Sequence, residues 1–223
     1  MRLKSSRKSH DQILGVISGK RAEKMLADWA NAQYDWPYLF RLYPEIAGTP
    51  DAEAILVDPG SSQSGAPVAL IQSYLRRAWD TRDLRSFEWY AWKAQVEYAR
   101  AAAFAKHKVP TSEQLYEEYR SLHSPGEPEL KKFLDQFSER INAATKEAED
   151  PPPVVLPVEA AIFYFRHNRD RVLRCPNPEC AGPYFFRSKK GQKFCSAECA
   201  TPSRKESKRR WWANKHGKGK KTR

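Results

Sequence analysis

Four cysteines are the residues of this chain whose type and spacing best suit chemistry. Cys175, Cys180, Cys195 and Cys199 all fall in one stretch, RCPNPECAGPYFFRSKKGQKFCSAEC (Arg174 to Cys199), spaced C-x4-C, then fourteen residues, then C-x3-C. Two local pairs separated by an insert of hairpin length read as one metal site. Thiolate is a soft ligand, and four thiolates in a tetrahedron suit Zn2+, which requires no redox change. Four cysteines leave no open coordination position, so the pattern predicts a structural ion rather than a catalytic one. A disulfide framework also uses an even number of cysteines, but ordinarily in an oxidising compartment. An iron–sulfur cluster ordinarily draws on ligand runs spaced differently.

The elements that must position these sulfurs follow from their neighbours. In Cys175-Pro-Asn-Pro-Glu-Cys180 the prolines stiffen a knuckle. Pro183–Arg187 is strand-like, Ser188–Gln192 is a turn in which Gly191 can take positive φ, and Lys193–Cys195 is expected to return as the second strand. Cys199 then opens a helical stretch, one turn after Cys195. Knuckle, hairpin and helix together predict a treble-clef-like finger. Pro202 fits poorly inside a continuing helix, so Thr201 is expected to re-cap and Pro202 to begin a second helix. On that helix Arg204, Lys205, Lys208, Trp211, Trp212 and Lys215 fall within about a third of the circumference at 100° per residue. One of the two indoles is expected to fold onto Phe185, Phe186 or Phe194 and complete a small core.

Charge placement gives this region a second property. Between Arg174 and Arg223 there are fifteen Lys or Arg against three Glu, which matches the net charge of +12 for the whole chain. The first 173 residues, with 24 basic and 24 acidic side chains, are neutral. A segment this basic favours polyanions, of which nucleic acid is the commonest inside a cell. The candidate contacts are Lys189, Lys190 and Lys193 in the turn and Arg204, Lys205, Lys208, Arg209, Arg210, Trp211 and Lys215 in the helix, the cations for phosphate and the planar group for sugar or base faces. Double-stranded DNA is the first expectation. RNA and an acidic protein partner are the alternatives. The last residues, HGKGKKTR, read equally as a solvated tail.

The remainder reads as helical. No apolar run approaches the ~18 residues of a membrane helix, and the patch Ile13–Ile17, broken by Gly15, is too short for a secretion signal. A cytoplasmic location with reduced thiols is therefore expected. Residues 1–12 read as a basic arm, 13–150 as a helical domain for sensing or self-association into a homo-oligomer, 151–171 as a proline-rich spacer with a connecting helix, 172–216 as the finger and 217–223 as the tail. Within the helical domain, Ser18 is expected to cap a helix over Lys20–Ala32, Asp35 and Pro37 to open another, and Val68–Trp79, Arg82–Lys106 and Glu129–Glu147 to be helical, with Thr81 capping the longest. Ala54–Val57 is a candidate strand inside a Gly/Ser/Pro-rich connector. Trp79, Trp89 and Trp92 are expected in the core rather than around a ligand. The five histidines are scattered, and no zinc-protease helix, phosphate-cradling glycine loop or nucleophile elbow occurs, so no enzymatic activity is expected. The fold class is mainly α, a helical domain followed by a small zinc finger.

Arg174-Cys-Pro-Asn-Pro-Glu-Cys180, the aromatic pair near Phe185, and Lys193-Phe-Cys-Ser-Ala-Glu-Cys199 before a basic helix resemble the CGNR-type zinc-finger family. The resemblance covers Val172–Lys215, and Leu26-Ala-Asp-Trp-Ala-Asn31 echoes the L-x-D-F-x-N motif of the family's usual partner domain. It implies a bacterial protein with a helical N-terminal domain, acting as a DNA-binding transcription regulator at the nucleoid, with the four cysteines as zinc ligands. The namesake Cys-Gly-Asn-Arg is here Cys199-Ala200-Thr201-Pro202, and the last cysteine pair is x3 rather than the more usual x4. The resemblance therefore assigns no role to the Asn and Arg of that motif.

Overall fold

The computed structural model describes residues 17–33, 35–47, 50–57, 66–121, 127–149 and 156–217. Over these residues the chain is mainly α, with one small hairpin beside the cysteines. The elements are α1 (Gly19–Asn31), α2 (Trp36–Leu42), α3 (Pro44–Ala47), α4 (Pro50–Val57), α5 (Pro67–Asp80), α6 (Leu84–Lys106), α7 (Ser112–Ser121), α8 (Glu127–Glu149), α9 (Pro157–His167), a 3-10 turn (Arg169–Arg171), β1 (Val172–Arg174), β2 (Tyr184–Phe186) and α10 (Ala197–Gly217). The arm at residues 1–12, the stretch at 122–126, the proline run at 150–155 and residues 218–223 of the tail lie outside the described residues. No helix among the described residues is long and apolar enough to cross a membrane.

Helix starts follow local chemistry. Ser18 caps α1, accepting from the Arg21 N–H at 3.3 Å. Asp35 caps α2, accepting from Tyr38 N at 3.1 Å, with Pro37 in the first turn. Two expectations are corrected here. Asp83, not Thr81, caps the long helix, taking the Ser86 N–H at 2.7 Å, because Thr81 already ends α5 through its own N–H to the Arg77 carbonyl. Ala54–Val57 belongs to α4, not to a strand: α4 packs on α5 and α6, where Ile55 and Leu56 are buried, and no strand edge lies beside it among the described residues.

The core lies where α5, α6 and α9 meet α1. Met25, Leu26 and Trp29 of α1, Ile71 and Leu75 of α5, Phe87, Ala91 and Ala94 of α6, and Ile162 and Phe165 of α9 are all buried. The terminal carbonyls of α1, which have no partner within their own helix, are capped from α5. Gln72 Nε2 donates to the carbonyls of Trp29 (2.7 Å) and Ala32 (2.8 Å), and Arg76 donates to those of Ala30 (2.7 Å) and Ala32 (2.9 Å). These caps fix Asn31 at the end of α1. Trp79 enters the core as expected, but Trp89 and Trp92 remain 48% and 45% exposed. At 100° per residue they project from the face of α6 opposite Phe87, Ala91 and Ala94, where Lys93 lies over both rings.

Helix α9 is tied to both sides of the fold. Its Arg166 pairs with Glu88 at 2.8 Å. Its Tyr164 hydroxyl donates to Glu23 of α1 at 2.6 Å and accepts from Arg171 at 2.9 Å, while Arg171 pairs with Glu23 at 2.6 Å. The Tyr164 ring is thereby pinned over Gly19, where an added Cβ would stand 2.8 Å from Cε2. Ala is favoured over Gly in a helix by up to about 1 kcal/mol, and overpacking against a fixed ring costs about 1–3 kcal/mol. Gly19→Ala is therefore expected to destabilise the protein by on the order of 1 kcal/mol, read from the urea midpoint. A rise in the midpoint would show that the ring yields.

Candidate metal centre and nucleic-acid interface

The hairpin that carries the cysteines is not the one expected. β2 pairs with β1, in the register Val172↔Phe186, Leu173↔Phe185 and Arg174↔Tyr184, and Lys193–Cys195 forms no strand. The outer edge of β2 is already occupied. The Tyr184 N–H donates to Asn31 Oδ1 at 3.0 Å and the Tyr184 carbonyl accepts from Asn31 Nδ2 at 2.9 Å, so one side-chain amide does the work of a third strand. On the returning segment, Gln192 Nε2 donates to the carbonyl of Phe194 at 2.9 Å, and its Oε1 accepts from Ser188 N at 2.8 Å. Gln192 thus closes the turn locally. Gly191 takes φ +84°, as its place in the turn predicted.

This hairpin is part of the main core. Trp79 packs on Phe165 (4.6 Å between centroids), Phe186 (5.5 Å) and Tyr184 (5.8 Å), and its Nε1 donates to the Phe185 carbonyl at 3.4 Å. Asp80 accepts from Arg174 and from the Tyr184 hydroxyl, both at 3.2 Å. Asp80 therefore anchors the strand that leads into Cys175.

The four sulfurs converge. The Sγ atoms of Cys175, Cys180, Cys195 and Cys199 all lie within 4.8 Å of one another, with Cys180–Cys195 at 3.5 Å and Cys195–Cys199 at 3.4 Å. Tetrahedral thiolates at about 2.3 Å from an ion would be about 3.8 Å apart, inside that range. Cys175 is buried and the other three are partly buried. Asn177 and Ser196, which sequence reading did not single out, shape the two ligand turns. Asn177 Oδ1 accepts from Glu179 N at 3.2 Å and its carbonyl from Cys180 N at 3.1 Å, the Asx-type turn that an Asn-Pro pair signals. Ser196 is the cap of α10, its Oγ accepting from Cys199 N at 3.2 Å.

Thiols this close resist ionising together. Burial, then the hydrogen bonds among the thiols, pushes Cys195 up, and burial likewise raises Cys180. Cys199 is lowered, to about 7, first by the hydrogen bond from Cys195 and then by Asn177 and Ser196. A bound cation is what allows all four to be thiolates, since a coordinating thiol is deprotonated outright. The donor set fits a metal ion.

Beyond the ligands, α10 runs unbroken to Gly217 with Pro202 inside it, rather than splitting there. Proline at this position leaves the Glu198 carbonyl without its i+4 donor. Glu198 is exposed, so water can serve that carbonyl. Thr201 Oγ1 bonds back to the Ala197 carbonyl at 3.0 Å instead of capping a new helix. Every side chain from Thr201 to His216 is exposed. Neither indole folds onto the hairpin: Trp79, Phe165 and Tyr164 already cover Phe186, and Trp211 lies about 20 Å along the helix from its start. Of the expected contacts, Lys189, Lys190, Lys193 and Arg204 line one groove of about 630 Å³ between the turn and the helix. Lys205, Lys208, Arg209, Trp211 and Lys215 continue along α10, whereas Arg210 is turned to the far side and paired with Glu206 at 2.9 Å. No family model matches this chain, and neither curated proteins nor solved structures provide a match.

Proposed function

We propose that this is a zinc-clamped DNA-binding protein acting as a transcription regulator, in keeping with its resemblance to the CGNR-type fingers. Zn2+ is the ion that four cysteines and no open position suit best. The observation that carries the reading is that nine of the fifteen basic residues from Arg174 onward stand on one exposed helix and the adjoining turn, both rooted at the clustered cysteines. The metal sets where α10 points, the turn lysines and Arg204 hold phosphate, and Lys208 and Arg209 extend the contact along the helix. The helical body, to which the hairpin is anchored through Trp79 and Asp80, carries the finger.

Salt dependence tests this directly. Each phosphate neutralised adds about 0.9 to the slope of log affinity against log salt on duplex DNA. The double variant Lys208→Ala/Arg209→Ala is expected to weaken duplex binding and lower that slope by about 2. An unchanged slope and affinity would remove these residues from the interface. Binding to acidic polypeptide that outlasts duplex binding at ~0.15 M salt, where charge is screened over about 8 Å, would favour a protein partner instead.

A further inference from the structure

The distal part of α10 holds a cluster that phosphate binding does not need. The Trp211 and Trp212 rings stand edge to face, 5.0 Å between centroids and 82° between planes. Trp212 lies flat on His216 at 4.9 Å and 13°. The Lys215 ammonium is 4.8 Å from the Trp211 centroid and 5.9 Å from that of Trp212. Both indoles are 54% exposed, although tryptophan gains more than most side chains from burial.

Flat aromatic faces on a cationic helix match nucleic acid whose base faces are free. In a closed duplex those faces are stacked inside, and the grooves present only edges. An indole there has sugars and edges to touch but nothing to stack on. An unpaired base offers its whole face, and stacking on aromatic side chains is tolerant of sequence. The layout along the helix agrees. The groove of Lys189, Lys190, Lys193 and Arg204 lies at the metal end, Lys208 follows one turn later, and the indoles come next. Charge selects a polyanion for the first part, and the rings select an open base for the second.

Resting on the DNA reading above, we propose that the preferred target is DNA with unpaired bases beside a duplex: the turn and proximal helix grip phosphates, and Trp211 and Trp212 stack an unpaired base. The test uses the full metal-loaded chain and three probes of equal phosphate number: a closed duplex, a duplex with a single-stranded tail, and a single strand. The tailed duplex is expected to bind about tenfold more tightly than the closed one, the scale of one stacked base. Trp211→Ala/Trp212→Ala should erase that preference while leaving the salt slope in place, since an indole neutralises no phosphate, and Trp211→Phe/Trp212→Phe should retain most of it. Metal content and helix signal, measured on each variant, verify folding. Equal binding of tailed and closed duplex overturns the stacking proposal and leaves the DNA reading standing. Failure to bind any probe overturns both. Tighter association with phosphatidylserine vesicles than with every oligonucleotide, lost in the alanine variant, overturns the proposal by making the cluster a membrane-surface contact.

Discussion

Chelation of the metal is expected to abolish nucleic-acid binding while leaving most of the helical body folded. The two halves of the finger depend on the ion to different degrees. β1 and β2 are held by Trp79, Asp80, Asn31 and Tyr164, none of which is a ligand. The root of α10 is held by Cys195 and Cys199, and every residue from Thr201 to His216 is exposed. Structural zinc in small fingers carries about 10–16 kcal/mol of apparent binding free energy, far more than an exposed helix can supply for itself. Metal loss should therefore free α10 and the knuckle. Cys175→Ser is expected to act likewise, because it removes the buried ligand and leaves three. Metal analysis should give one ion per chain in the reduced native protein and less than one in the variant. Circular dichroism should show partial loss of helix, and duplex affinity should fall to the background of free basic peptide. A chelated protein that binds duplex unchanged would show that α10 acts without the clamp.

How much of this was legible in the sequence depended on whether a property was local. Spacing alone picked out the four cysteines that converge and could hold a metal ion, because two short turns bring each pair together whatever the rest of the chain does. Caps and apolar periodicity located α1, α5, α6 and α8 to within a few residues. Several of the errors were decisions made by distant partners. Lys193–Cys195 has strand character, but β2 takes the segment before the knuckle as its partner, and Asn31, 153 residues away, occupies the other edge. Pro202 was given its intrinsic cost, yet near the start of an exposed helix one lost hydrogen bond can be replaced by water. The partners of Asp80, Arg174 and Tyr184, are remote in sequence, so its anchoring role could not be read locally. The tryptophans divided for the same reason. Trp79 meets a core built by α9 and β2, while Trp211 and Trp212 stand on a stretch of α10 that is exposed from Thr201 to His216.

Trp79 joins the helical body to the finger, and Trp79→Ala is expected to cost about 3–5 kcal/mol, the range for truncating a buried aromatic. The loss has two parts. Its ring leaves a void between Phe165, Phe186 and Tyr184, and the Phe185 carbonyl loses the Nε1 donor. Trp79→Phe keeps part of the packing and loses the donor and some ring volume, so it should cost less. Urea unfolding measures the first effect. Hydrogen exchange locates it: the amides of Leu173 and Phe185, paired across the hairpin, should lose protection in Trp79→Ala beyond that of α1 and α6. Because β1 ends one residue before Cys175, and the Cys175 N–H bonds to the Pro183 carbonyl at 2.7 Å, a loosened hairpin should also release metal faster to a chromogenic chelator. If Trp79→Ala costs under about 1 kcal/mol, or if metal release is unchanged while exchange rises uniformly, the finger folds independently of the body and the anchoring role assigned to Trp79 is wrong.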